Sequence, residues 1–288
     1  MSFAARLDDA ARTVGVHLDA TLAAFPEGPI TDAMRYAAAG GKRLRGFLVL
    51  ETAALHDVAQ RDALPAAAAI EALHAYSLVH DDLPCMDDDA LRRGQPTVHV
   101  KWDEATAVLV GDALQTVAFQ LVTEGGLPAE RKLALSATLA QASGADGMVY
   151  GQALDIAAET AAQPLDLDGI AALQAKKTGA LIEWSACAGP VMAGADTAPL
   201  MTYARALGRA FQIVDDVLDV EGDAAATGKA VGKDADAGKA TYVSLLGLDG
   251  AKSRARELVD EACAALSPYG PRADTLRDCA RFVITRDR

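Results

Sequence analysis

A chain of 288 residues, 51% hydrophobic and only 5% aromatic, can bury a sizeable core as one large domain or two ordinary ones, and length alone does not choose. Its net charge of −13, from 27 basic and 40 acidic residues, argues against a nucleic-acid surface, which needs lysine and arginine clustered over a broad face. The four cysteines (Cys85, Cys187, Cys263, Cys279) have neither CxxC spacing nor the density of a disulfide framework. The start MSFAARLDDAARTV lacks a secretory leader's pattern, and no apolar run has membrane-spanning length, so a cytoplasmic protein without a membrane span is expected.

Abundant alanine and the lack of alternating Ile/Val/Thr runs favour helix over sheet, and the chain reads as all-α. Pro26-Glu27-Gly28-Pro29 ends the first helical stretch, and Gly40-Gly41 ends the next. Leu44 to Leu55 is a helix, and Asp62 with Pro65 opens another that runs to an acidic cluster at Asp81. Trp102 to Thr123, Arg131 to Ala142, Met148 to Glu159, Leu167 to Ala188 (with cap signals at Asp166 and Asp168) and Ala198 to Val220 follow. Glu221 to Lys239, rich in Gly, Ala, Asp and Lys, reads as a polar loop. Its three lysines suit a flap over phosphate as well as a plain linker. Nothing divides the chain into two cores, so residues 1–288 are expected to form one domain.

Two aspartate clusters carry the chemistry: Asp81, Asp82, Asp87, Asp88 and Asp89 in HDDLPCMDDDALRRG, and Asp215, Asp216 and Asp219 in FQIVDDVLD. Each lies at the end of an apolar helix-like segment, where carboxylates repel by roughly 1 kcal/mol per close pair in water and the helix dipole adds to the cost. Hard divalent cations such as Mg²⁺ offset this and keep positions open for phosphate oxygens. For one cluster a solvated acidic loop is an even alternative. Two clusters, each trailed by basic residues (Arg92 and Arg93; Lys229, Lys233 and Lys239), favour metal and anion. Asp215 and Asp219, four apart, share a helix face. Asp81 and Asp87, six apart, would diverge on a regular helix, but Pro84 lets the chain turn and bring them together. GGKRLR, from Gly40 to Arg45, puts cations at a helix start, which suits a diphosphate.

The ordered series GGKRLR, IEALHAYSLVHDDLPCMDDDALRRGQPTVH, GDALQTVAF, KKTGALI, FQIVDDVLDVEGD and GKATY resembles the trans-isoprenyl diphosphate synthases over nearly the whole chain. The longer first motif, with Pro84, is like that of bacterial farnesyl diphosphate synthases. The resemblance implies an all-helical isoprenoid synthase fold around a central cavity, with the two motifs facing each other. It implies Mg²⁺, three ions with diphosphate bound, held by Asp81, Asp87 and Asp215 with Asp82 and Asp219 in support. Lys42, Arg45, His74 and Arg93 would hold isopentenyl diphosphate, and Arg92, Lys177, Thr178, Gln212, Lys229 and Lys239 the allylic diphosphate. Asp81, Asp87, Asp215 and Lys177 would carry catalysis, and a homodimer is the implied assembly. Tyr76 and Ser77, five and four residues before Asp81, lie where a growing tail would meet them. In the family a bulky residue at the position of Tyr76 stops the product at fifteen carbons, and a smaller one admits twenty. The alternatives are a geranylgeranyl diphosphate synthase, a His80-Asp81 metal phosphohydrolase and a non-catalytic helical partner subunit. Glu71-x-x-His74 also matches half a di-iron motif whose second half is missing.

Overall fold

The computed structural model describes residues 2–161, 163–221 and 240–285, whose regular elements are all helical apart from one short hairpin, as the all-α reading expects. Two compact units emerge: Met1–Ser136 with Ala188–Ala195, and Ala137–Cys187 with Asp196–Arg288.

In the first unit, α1 (Phe3–Ala23) is capped by Ser2, whose hydroxyl accepts the Ala5 N–H, and it buries Leu7, Val14, Leu18 and Leu22 on one face. α2 (Pro29–Ala38) begins on proline, which has no N–H to leave unsatisfied. α3 (Leu44–Leu55) has the bounds its sequence suggests. α4 (Gln60–Asp81) starts two residues before the expected Asp62 and carries Pro65 within its second turn. Asp62 is used elsewhere, its carboxylate accepting the Gly126 N–H at 3.0 Å. A run of alanines, Ala66 to Ala69, is buried in α4, and this small cross-section suits a helix enclosed by its neighbours.

A two-residue ladder, β1 (Leu91–Arg92) with β2 (Gln95–Pro96), follows, then α5 (Val98–Lys101) and α6 (Glu104–Leu121). α6 starts at Glu104 instead of Trp102 because Asp103 caps it, accepting the Thr106 N–H at 2.7 Å. α7 (Ala129–Ser143) and α10 (Ala180–Ala193) contribute residues to both units.

The second unit holds α8 (Met148–Glu159) and α9 (Leu167–Gln174), the latter capped by Asp166 as its sequence suggests. The single helix expected from Leu167 to Ala188 is instead α9, a π turn over Ala175–Gly179, and α10. α11 (Ala198–Glu221), α12 (Tyr242–Ala265), a 3₁₀ segment (Ser267–Ala273) and α13 (Asp274–Val283) complete the unit. Tyr203, fully buried on α11, satisfies its hydroxyl by donating to the Leu276 carbonyl at 2.9 Å, which ties α11 to α13. No helix among the described residues is long and apolar enough to cross a membrane.

Candidate active site

The loop between α2 and α3 is built on left-handed backbone: Gly40 and Gly41 have φ of 72° and 79°, and Arg43 has 48°. The positive φ is what calls for glycine at 41, and a Cβ there would also push on the Arg93 guanidinium, 2.7 Å away at Nη2. The guanidinium lies against the loop, where Nη1 donates to the Ala39 carbonyl at 3.1 Å. Arg43 turns back instead, donating to the Ala38 carbonyl at the end of α2. Of the three cations in GGKRLR, Arg43 is therefore structural.

Beneath the loop, the Glu71 side chain of α4 is buried and its Oε1 accepts the Gly46 N–H of α3 at 2.7 Å. This joins the start of α3, and with it Arg45, to α4. One turn further along α4, His74 is partly buried within the fields of Arg45, Arg93 and Arg92. Desolvation first, then those three guanidiniums, hold its imidazole pKa well below the ordinary value, so it is neutral at physiological pH. Burial pulls the pKa of Arg93 down, while the Glu71 carboxylate supports its charge. Arg45, His74 and Arg93 thus belong to one electropositive group with a buried carboxylate beneath it, and exposed Lys42 precedes it in the same loop. Glu71, which sequence spacing suggested only as half a metal motif, is the residue missed here.

The first aspartate motif begins at the end of α4. Beyond Asp81 the chain turns at Pro84: the Met86 and Asp88 N–H groups donate to the Leu83 carbonyl at 2.9 and 3.1 Å, and the Asp87 N–H donates to the Asp81 carbonyl at 2.8 Å. The proline turn thus returns Asp87 to Asp81, with Asp87 exposed and Asp81 partly so. Asp82 points inward and is only 3% exposed; Arg92, delivered by β1, bonds it through Nε at 2.8 and 2.9 Å and through Nη2 at 2.5 Å. Burial pushes the Asp82 carboxyl up despite these bonds, and the pair keeps Arg92 protonated although burial opposes its charge. The residues expected to support metal and allylic diphosphate are therefore bound to each other. Ser77 is turned back on its own helix, donating to the His74 carbonyl at 2.9 Å. His80 Nε2 lies 3.1 Å from the Val108 carbonyl of α6.

In the second unit, Gln212, Asp215 and Asp219 follow one another at i, i+3 and i+7 and share a face of α11. Asp215 is exposed, and Gln212 and Asp219 are partly buried. Asp216 is buried and accepts the Tyr242 N–H at 2.7 Å, which caps α12. The π turn carries Lys177 and Thr178, and Lys177 Nζ meets Asp155 of α8 at 2.7 Å. Close packing makes this possible, since a Cβ on Gly151 would lie 2.1 Å from the Lys177 amide nitrogen. Asp155 was missed in the sequence. Its signal, Gln152 and Asp155 spaced i, i+3 on a helix after Gly151, becomes meaningful only with Lys177 opposite. Lys229, Lys233 and Lys239 lie outside the described residues.

Among the described residues no three His, Cys, Asp or Glu side chains form a ready-made metal cage. The exposed donors are hard carboxylates, Asp81 with Asp87 and Asp215 with Asp219. Such donors fit Mg²⁺, which keeps most of its waters and takes one or two carboxylates plus substrate phosphate oxygens.

An all-α chain with two aspartate clusters and a buried carboxylate under an arginine group belongs to the polyprenyl synthetase family, whose model matches residues 27–268. Among its relatives, the farnesyl diphosphate synthase of Haemophilus influenzae is 47% identical over 90% of this chain and 89% of that protein. That of Escherichia coli is 45% identical over 92% and 91%. The crystal structure of an FPP/GFPP synthase from Zymomonas mobilis matches with a TM-score of 0.90 and 46% identity, covering 98% of both chains.

Proposed function

We propose that this chain is a farnesyl diphosphate synthase, a prenyltransferase that condenses isopentenyl diphosphate with dimethylallyl and then geranyl diphosphate. The observation that carries the reading is the electropositive group of Arg45, His74 and Arg93 over buried Glu71, on the same helix that ends in the Asp81–Asp87 turn. A polyanion is what such a group binds, and guanidiniums match phosphate oxygens in pairs. Lys42, Arg45, His74 and Arg93 hold the diphosphate of isopentenyl diphosphate, with neutral His74 giving a directional donor and no further charge. Arg92, Lys177, Thr178, Gln212, Lys229 and Lys239 serve the allylic diphosphate. Asp81, Asp87 and Asp215 would hold Mg²⁺, with Asp219 and Asp82 in support, and the metal would supply positive charge against the leaving diphosphate.

The allylic C–O bond breaks as positive side chains stabilise the leaving diphosphate. The double bond of isopentenyl diphosphate attacks the allylic carbon, and the C–C bond forms. A proton then leaves the former isopentenyl carbon, and the departed diphosphate accepts it. No Ser-His or Cys-His pair is required. Tyr76, one turn before Asp81, limits the tail to fifteen carbons. The match over residues 27–268 supports treating both units as one synthase domain, acting as a cytoplasmic homodimer with no nucleic-acid partner.

The test is incubation of the purified protein with Mg²⁺, isopentenyl diphosphate and dimethylallyl or geranyl diphosphate. A fifteen-carbon product is expected. Failure to condense either primer overturns the assignment, and a mainly twenty-carbon product replaces it with the longer-chain synthase.

A further inference from the structure

Tyr76 does not stand alone on α4. Tyr76 and His80 are four residues apart on one face, and their rings meet edge to face with centroids 5.5 Å apart and planes at 89°. The His80 ring lies over Gly111 of α6, where a Cβ would be 2.0 Å from Nε2 and 2.3 Å from Cδ2, so any other residue would displace it. Nε2 is also 3.1 Å from the Val108 carbonyl, one turn earlier on α6. The side chain of Gln115, four residues after Gly111, faces the Tyr76 hydroxyl. His80 thus meets Gly111 while Tyr76 faces Gln115, and the pairs run in opposite directions along α4 and α6. Tyr76 is only 7% exposed.

An aromatic side chain on a helix has two open χ1 wells, near 180° and −60°. A growing prenyl tail pressing on an unsecured ring could move it from one to the other. Edge contact with His80 selects one well, Gln115 offers the hydroxyl a polar neighbour there, and Gly111 gives His80 the space it needs.

We infer that His80 and Gln115 are positioning residues for product length: together with Gly111 they lock the Tyr76 ring between α4 and α6, and the lock, as much as the bulk of the ring, sets where elongation stops. This rests on the role given to Tyr76 under Proposed function. It places the determinant on two helices and explains why the residue at 111 has no side chain.

The experiment compares the ratio of twenty- to fifteen-carbon products from geranyl and isopentenyl diphosphates for the wild type and for Tyr76→Ala, Tyr76→Phe, Gln115→Leu and His80→Ala. Tyr76→Phe and Gln115→Leu keep size and helix propensity, so they report even if His80→Ala does not fold. Each of the three lock variants is expected to raise the ratio about tenfold, the factor that losing one hydrogen bond or one ring contact can supply. Combining Tyr76→Phe with Gln115→Leu should add nothing to either alone, since both remove the same polar contact. Loosened packing by itself would lower the rate and leave the ratio where it was. If Tyr76→Ala lengthens the product while Tyr76→Phe and Gln115→Leu leave the ratio unchanged, the lock is wrong and the floor stands. If Tyr76→Ala leaves the ratio unchanged, the floor reading fails and the lock falls with it.

Discussion

His74 adds a hydrogen-bond donor to a crowded cationic group at the lowest electrostatic cost, because desolvation and the neighbouring guanidiniums keep it neutral. Its pKa in the fold is below that in the unfolded chain, so the unfolded state takes up a proton first as the medium is acidified. The stability tied to neutral His74 is therefore full above the ordinary imidazole pKa and is lost as pH falls below it toward the folded value. Thermal unfolding at pH 7.5 and 5.5 should show a larger drop in midpoint for the wild type than for His74→Gln, and equal drops would contradict the neutral assignment. Glu71 makes the complementary case. Replacing it with alanine leaves the Gly46 N–H without its buried acceptor and the charge of Arg93 without its nearby carboxylate, and unfolding in urea should show a loss of about 3–5 kcal/mol. Glu71→Gln keeps an acceptor for Gly46 and should lose less. The i, i+3 spacing of Glu71 and His74 is legible in the sequence. What they face is not, because Arg93 arrives through a hairpin and rests against the loop at Gly41.

Helix limits that depend on local chemistry could be read from the chain. Leu44–Leu55 and Met148–Glu159 have their expected bounds, and Asp166 caps α9 as anticipated. The π turn could not be read, since AKKTG has the composition of an ordinary helix and its extra residue is set by packing against α8. The hairpin was not read from the sequence: each strand is two residues long, too short for an alternating pattern, and the turn shows only as positive φ at Arg93 and Gly94, 53° and 74°. The close contact at Gly151 gives an element-scale prediction. Gly151→Ala drives a methyl into the Lys177 backbone, which has no rotamer to yield, whereas Gly189→Ala meets the Thr52 backbone with a Cβ 2.3 Å from its carbonyl carbon. Both should cost about 1–3 kcal/mol in chemical denaturation. Only Gly151→Ala should also lower turnover at matched folded fraction, because only it moves Lys177. Equal specific activities would detach the π turn from catalysis.

Across the whole molecule, the order of motifs along the chain was legible, whereas the division into two compact units was not, because no linker marks it and α7 and α10 contribute to both. The acidic excess explains why metal and substrate should bind as a set. With a net charge of −13 and exposed carboxylates at Asp87 and Asp215, diphosphate alone meets repulsion near the very groups that need a cation. Mg²⁺ alone finds carboxylate pairs and, among the described residues, no three-ligand cage, so it gains little over its hydration shell. Each supplies what the other lacks. Thermal unfolding should therefore respond weakly to Mg²⁺ alone, more to inorganic diphosphate alone through the Arg45, His74 and Arg93 group, and most to both, by on the order of 5 °C when the pair is near a hundredfold excess over its dissociation constant. Asp81→Ala and Asp215→Ala should still fold cooperatively, while abolishing the joint shift and lowering turnover by several orders of magnitude. A shift with Mg²⁺ alone as large as with the pair would instead mean that the protein holds its metal without the substrate's oxygens.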